Sequence, residues 1–106
     1  MSASEALVII ARWQVGVESL GALLALVAEL RQRSLEEPGC LGYEVLRSDE
    51  PPAAGQPHEL VLLERYRDVA ALEAHRGSPH YRELLVTQIL PLLSARRVEV
   101  LRLEGA

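Results

Sequence analysis

The sequence predicts a small α+β fold, and three observations carry that prediction. Residues 6–15 are rich in Val, Ile and Trp, and residues 59–66 form an apolar run bounded by polar loops, both marks of a strand. Between them Leu20, Leu23, Leu24, Val27 and Leu30 recur at three- and four-residue spacing, the period of one helix face. Strands and helices mixed in so short a chain imply a sheet layered against helices. At 106 residues, without a repeat or a long linker, the chain is expected to be a single domain, 1–106.

Each element has its own signal. Strand one covers residues 6–15 and is interrupted by Gly16. The first helix covers 17–37, with Glu29, Arg31, Gln32 and Arg33 at its polar positions. Pro38-Gly39 ends it, because proline cannot continue the backbone ladder and glycine tolerates a left-handed turn. Residues 40–48 read as strand two, and 49–58, with Pro51, Pro52, Gly55 and Pro57, as a loop that helps shape any pocket. Strand three is 59–66. Asp68 caps a short helix through His75, ended by Gly77. Ser78-Pro79 is a second start signal, opening a helix with Tyr81, Leu84, Leu85, Gln88 and Ile89 on one face until Pro91. Residues 98–103 alternate apolar with charged side chains and read as the last strand. The order β-α-β-β-α-α-β is the split βαβ arrangement of ferredoxin-like folds, an antiparallel sheet with helices on one face. Strand three is apolar on both sides near its middle, Leu60 and Leu62 against Val61 and Leu63. A sheet covered by helices on one side only should be polar on the other. A second copy packed sheet to sheet, a homodimer, is therefore expected.

Composition excludes several classes. A net charge of −4, with eleven arginines scattered among carboxylates and no lysine, opposes nucleic-acid binding. Cys40 is the only cysteine, so no internal disulfide forms, which fits a reducing compartment. The chain begins Met-Ser-Ala-Ser-Glu with no basic segment ahead of an apolar one. Its longest apolar-rich stretch, residues 20–27, is short of the ~20 residues of a membrane span. A soluble cytoplasmic protein is the expectation. No phosphate loop or dinucleotide fingerprint occurs. His75 and His80, five apart across a Gly-Ser-Pro break, do not share one helix face, so no metal site is expected from them.

Three segments resemble a known family. Glu37-Pro38-Gly39-Cys40-Leu41-Gly42-Tyr43-Glu44 is similar to the "EPGC..YE" signature of the antibiotic biosynthesis monooxygenase family, whose members belong to the dimeric α+β barrel superfamily. Residues 59–66 resemble that family's third strand, with Tyr66 where Trp is common. Residues 70–81, Ala-Leu-Glu-Ala-His-Arg-Gly-Ser-Pro-His-Tyr from Ala71, resemble its "AL..H..SPHF" segment, the most specific of the three. The resemblance covers nearly the whole chain. It implies oxygenation of an electron-rich phenol, quinol or anthrone with no cofactor, the partners being a small-molecule substrate and O2. The substrate would lose a proton, pass an electron to O2 and recombine with the reduced oxygen. The protein would supply a dry pocket, a proton acceptor and groups that hold a planar ring.

The candidate catalytic residues are His75, Glu64 and Tyr66. His75 occupies the family's histidine position, and histidine is the commonest general base near neutral pH; its structural alternative is a ring bonded to a backbone carbonyl at the helix end. Glu64 and Tyr66 share a strand face with Leu60 and Leu62. A carboxylate on an apolar face must find a partner or change protonation state. Glu64 therefore either orients His75 or a substrate hydroxyl, or pairs with an arginine as a strut. Tyr66 either bonds a phenolic substrate or closes the core. For substrate binding the candidates are Trp13 and Ile9 on strand one, Leu62 on strand three, and His80 and Tyr81 at the last helix. Trp13 and Tyr81 read equally as core packing, His80 as a surface residue and Tyr43 as structural. Cys40 has no adjacent base and does not read as a nucleophile. Rival functions on the same fold are a non-catalytic binder or stress-response protein, an isomerase, and a haem-degrading enzyme. The haem branch uses an Asn, a Trp and a His where this chain aligns Ile9, His75 and Leu85, which opposes that reading.

Overall fold

Strand β1 (Leu7–Val15) shows how the sheet acquires a dry side and a wetter one. Leu7, Ile9, Ala11, Trp13 and Val15 are buried while Arg12 between them is exposed, the period-two alternation of a strand packed on one face. The structure, a computed structural model, describes residues 6–104; residues 1–5, read above for targeting signals, lie outside them.

Helix α1 (Val17–Leu35) buries Leu23, Val27, Leu30 and Ser34 against the sheet. Each buried aliphatic side chain contributes roughly 1.5–3 kcal/mol. Strands β2 (Cys40–Arg47) and β3 (His58–Tyr66) follow, then helix α2 (Val69–Arg76). Asp68 caps α2 as expected, its carboxylate accepting from the Ala71 backbone N–H at 2.8 Å. The chain then forms a π-helix (Tyr81–Ile89), one 3-10 turn (Leu90–Leu92) and strand β4 (Leu93–Arg102). The antiparallel sheet has the order β2-β3-β1-β4, with the helices on one face. This is the α+β ferredoxin-like arrangement. No helix among the described residues is long and apolar enough to cross a membrane.

Four local expectations change. β4 begins at Leu93 rather than Val98, because it pairs along all of β1, from Leu7 opposite Arg102 to Val15 opposite Leu93. Its first half, Ser94-Ala95-Arg96-Arg97, is exposed on an edge strand and lacks the apolar alternation that marks a strand in sequence. The helix before it is a π-helix, wider than an α-helix, and the Thr87 Oγ1 and Gln88 Nε2 side chains donate to the Arg82 and Glu83 carbonyls. In an α-helix Gln88 would lie two turns below Tyr81 on the same face. The wider turn carries it to the surface and leaves Tyr81, Leu84, Leu85 and Ile89 facing inward. Pro91 does not stop the chain's coiling but sits inside the 3-10 turn. Finally, Gly39 is not left-handed. Among described residues only Gly55 has a positive φ. Gly39 is required by space instead: a Cβ there would overlap the Cβ of Ala71 on α2.

The face of the sheet away from the helices is apolar at its centre. Register places Ile10 beside Leu63, Arg12 and Leu46 beside Val61, and Val8 beside Leu101. Leu46 and Leu101 are exposed, and Val8, Ile10, Val61 and Leu63 are half-buried.

Candidate functional site

Strand periodicity turns Glu64 and Tyr66 of β3 toward the helices, where both are buried. The last turn of α2 brings His75 over them, and the turn after α1 brings in Glu37. The four side chains form a connected set. The Tyr66 hydroxyl donates to Glu64 Oε1 at 2.6 Å. His75 Nε2 stands 3.8 Å from the same oxygen, and His75 Nδ1 is 2.9 Å from Glu37 Oε2. His80 reaches the same Glu37 oxygen through Nε2 from the outer side. His75 is thus held by the Glu37 carboxylate rather than by a backbone carbonyl, and Glu64 bonds Tyr66 beside His75 rather than acting as an arginine strut.

Aromatic rings enclose His75. Tyr66 lies 5.0 Å away by ring centroids, Tyr81 packs edge-on at 5.2 Å, and Tyr43 is at 6.4 Å. A small, partly open cavity of about 30 Å³ adjoins it. Ile9, Ala11, Leu30, Leu72 and Val98 form its apolar wall, Trp13, Tyr43 and Tyr81 its aromatic one, and the exposed Arg76 and Arg96 its rim. That volume holds one or two waters, not an aromatic ring, so a ring-sized ligand requires the wall to move. The Trp13 indole N–H is buried without a partner. A buried tryptophan N–H normally finds one, and a water or ligand oxygen in the adjoining cavity would supply it.

Burial sets the protonation states. It pushes the Glu64 carboxyl up to about 7, against the Tyr66 hydrogen bond and the Arg76 charge, which pull it down. Burial lowers His75, with the hydrogen bond to Glu37 acting the other way. Burial and the neighbouring Glu64 push the Tyr66 hydroxyl up, so it stays a donor. The net result at neutral pH is an uncharged His75 whose Nδ1–H donates to Glu37, leaving Nε2 as an acceptor beside Glu64. Burial pushes the Cys40 thiol up, which favours its protonated form.

The sequence-predicted residues divide. His75, Glu64 and Tyr66 come together, and Trp13, Ile9 and Tyr81 line the same cavity. Leu62 does not line it; it lies fully buried in the core with Leu60 and Leu84. His80 faces an outer groove with Glu29, Gln32, Glu36 and Pro79. Tyr43, expected to be structural, is on the cavity wall. Loop 49–58 does not shape this cavity. Its residues 51–57 line a separate open groove of about 870 Å³ with Gly16, Val17 and Leu92. Sequence reasoning misses Glu37: it is visible only as the first letter of the Glu-Pro-Gly turn, and nothing in the spacing brings it to His75, 38 residues away.

The model of the antibiotic biosynthesis monooxygenase family matches residues 6–85. The chain belongs to that family. Rv0793 of Mycobacterium tuberculosis, a candidate monooxygenase by name, is 40% identical over 73 residues, 69% of this chain and 66% of that relative. The solved structure of Rv0793 superposes with a TM-score of 0.77 at 38% identity, covering 91% of this chain and 92% of the other. A conserved protein from Methanosarcina mazei Go1 gives a TM-score of 0.82 at 26% identity, covering 94% of each chain. PA3566 of Pseudomonas aeruginosa gives 0.82 at 25% identity, covering 97% of this chain and 98% of the other. All three family-like motifs read from the sequence lie within the matched residues.

Proposed function

We propose that this family member is a cofactor-independent monooxygenase that oxidises a small aromatic or quinol-like compound with O2, working as a cytoplasmic homodimer. The observation that carries the reading is His75, uncharged and pinned by Glu37, with its free nitrogen beside an aromatic-walled cavity. His75 Nε2 takes the acidic proton of the substrate, and the Glu37 carboxylate stabilises the imidazolium that forms. The resulting anion is rich enough in electrons to reduce O2 directly. For an anthrone-like substrate, one ring methylene and one O2 become one ketone carbonyl and one water. The methylene carbon gives up both its hydrogens and supplies all four electrons that reduce the two oxygen atoms. Glu64, poised near neutrality and hydrogen-bonded by Tyr66, is placed to return a proton to the departing oxygen as water forms. The orphan Trp13 N–H supplies a donor for a substrate or oxygen atom, and the rim arginines Arg76 and Arg96 favour an anionic ring. The apolar open face of the sheet, centred on Ile10, Val61 and Leu63, is the surface on which two copies pack.

The test is oxygen uptake by metal-free protein offered hydroquinones, naphthols and anthrones, with His75→Ala, shown to be folded by circular dichroism, alongside. Uptake that scales with protein, survives a chelator and falls in the variant supports the reading. Uptake unchanged in the variant removes His75 from the role of base. The same His75–Glu64 pair also suits proton transfer in a keto–enol isomerisation, and a substrate altered without oxygen uptake would favour that second reading.

A further inference from the structure

We propose that Glu37, His75 and His80 form a binding site for a divalent first-row transition ion such as Zn²⁺. The donor atoms are His75 Nδ1, His80 Nε2 and a Glu37 carboxylate oxygen, and all lie within 4.8 Å of one another. They come from the turn after α1, the end of α2 and the residue before the π-helix. The spacing of the two histidines opposes a metal only when both ligands must share a single helix face; the fold instead closes the gap with a carboxylate from elsewhere in the chain. Two imidazoles and one carboxylate are a ligand set that holds zinc with a coordination position left open. The same set also suits ferrous iron.

The geometry needs little adjustment. Metal–ligand bonds of about 2.1 Å put the donors around a tetrahedral ion about 3.4 Å apart. His75 Nδ1 and Glu37 Oε2 are 2.9 Å apart and His80 Nε2 is 2.5 Å from the same oxygen, so a spread of roughly half an ångström to one ångström admits the ion. Glu37 Oε1 is buried with no hydrogen-bond partner, leaving a second carboxylate oxygen free for a cation. The other nitrogen of His75 faces Glu64 Oε1 at 3.8 Å, and a shift of under 1 Å would bring that oxygen within hydrogen-bonding reach of the N–H that a metal-bound imidazole carries. There is also a way in: Glu37 and His80 open on the outer groove, where Glu36 adds a carboxylate beside the Glu29–Arg33 ion pair.

This site does not depend on the oxygenase reading. An ion on Nδ1 leaves the proton on Nε2, so an occupied site holds a histidine that cannot act as a base toward the cavity. Metal loading and base catalysis at His75 are alternatives.

Binding is read without turnover. Protein dialysed against a chelator is titrated with Zn²⁺ by calorimetry and with Co²⁺ by visible absorption. The expected result is one ion per chain, with the intense Co²⁺ bands of tetrahedral coordination and a raised melting temperature. Because His75 is buried and its loss endangers the fold, the variants are His80→Ala and Glu37→Gln, checked by circular dichroism. Each should weaken binding by at least about tenfold, since losing even an outer partner of a ligand costs that much. Zn²⁺ affinity weaker than about 100 µM, or equal affinity in wild type and both variants, overturns the proposal. Neither result bears on oxygen uptake, so this inference and the oxygenase reading fail separately.

Discussion

Replacing Gly39 with alanine should loosen the site from a position that touches no substrate. The added Cβ would meet the Cβ of Ala71 well inside 3.0 Å and lie 3.4 Å from the Ala71 Cα, so it meets helix backbone and not the end of a flexible side chain. Carbon atoms rest about 3.5–4.0 Å apart, so α2 must retreat by on the order of 1 Å. Overpacking of this kind costs about 1–3 kcal/mol. The retreat acts on His75, one turn further along the same helix, while Glu37 stays with the Gly39 segment. The 2.9 Å bond between them therefore lengthens toward loss. Urea unfolding measures the cost, and the partner substitution Ala71→Gly tests the cause. On its own Ala71→Gly should cost about 2 kcal/mol, from lower helix propensity and one lost buried methyl. With Ala71→Gly in place the Gly39→Ala clash disappears. The double variant should then be at least about 1 kcal/mol more stable than the sum of the single losses. If Gly39→Ala costs the same in both backgrounds, close contact with α2 is not why glycine stands there.

Three other outcomes follow from the same structure. Glu64 has a folded-state pKa of about 7 against 4.5 ordinarily, so folding favours its protonated form; the stability this contributes is present at acid pH and lost as pH rises toward and through 7. Between roughly pH 5 and 8 the wild type should lose about 2.5 kcal/mol relative to Glu64→Gln, and parallel urea midpoints across that range would contradict the shift. Asp68→Ala removes the α2 cap and should cost about 1 kcal/mol by thermal or urea unfolding, with an unchanged midpoint showing that the cap is dispensable. Leu63→Glu places a charge at the centre of the open sheet face and should convert dimer to monomer in sedimentation equilibrium, whereas an intact dimer would move the interface elsewhere.

The fold was legible because its signals are periodic and local. The apolar strand signals of β1 and β3, the leucine stripe of α1 and the Asp68 cap are each contained in fewer than twenty residues, and each element appears where it was read. What the sequence hid lies where neighbours override local preference. β4 extends through polar Ser94–Arg97 because β1 offers it a full ladder of hydrogen bonds, and Gln88 turns outward because the helix adopts a wider turn. The site was half legible for the same reason. Glu64 and Tyr66 follow from a period of two, and His75 from the family resemblance, but Glu37 and His80 meet only in three dimensions. Leu62 was assigned to the pocket from its strand face, yet a face shared with Glu64 does not decide which residues border a cavity and which fill the core.

The Glu37-Pro38-Gly39 turn ties these levels together. Its proline follows the end of α1 at Leu35, its glycine lets α2 approach closely, and its glutamate holds the histidine that α2 carries. The distance from Glu37 to His75 is therefore set by the contact between Gly39 and Ala71, two small residues with no chemistry of their own. Backbone reinforces it, since the Arg67 N–H donates to the Gly39 carbonyl at 2.8 Å just before Asp68 caps α2. A base whose orienting carboxylate sat on a long loop would sample many separations. Here the carboxylate and the histidine are fixed to elements in direct contact, so tautomer and position are both determined before any substrate or ion arrives. A substitution that moves α2 should consequently weaken metal binding and proton abstraction together, even where each of the three ligands is intact.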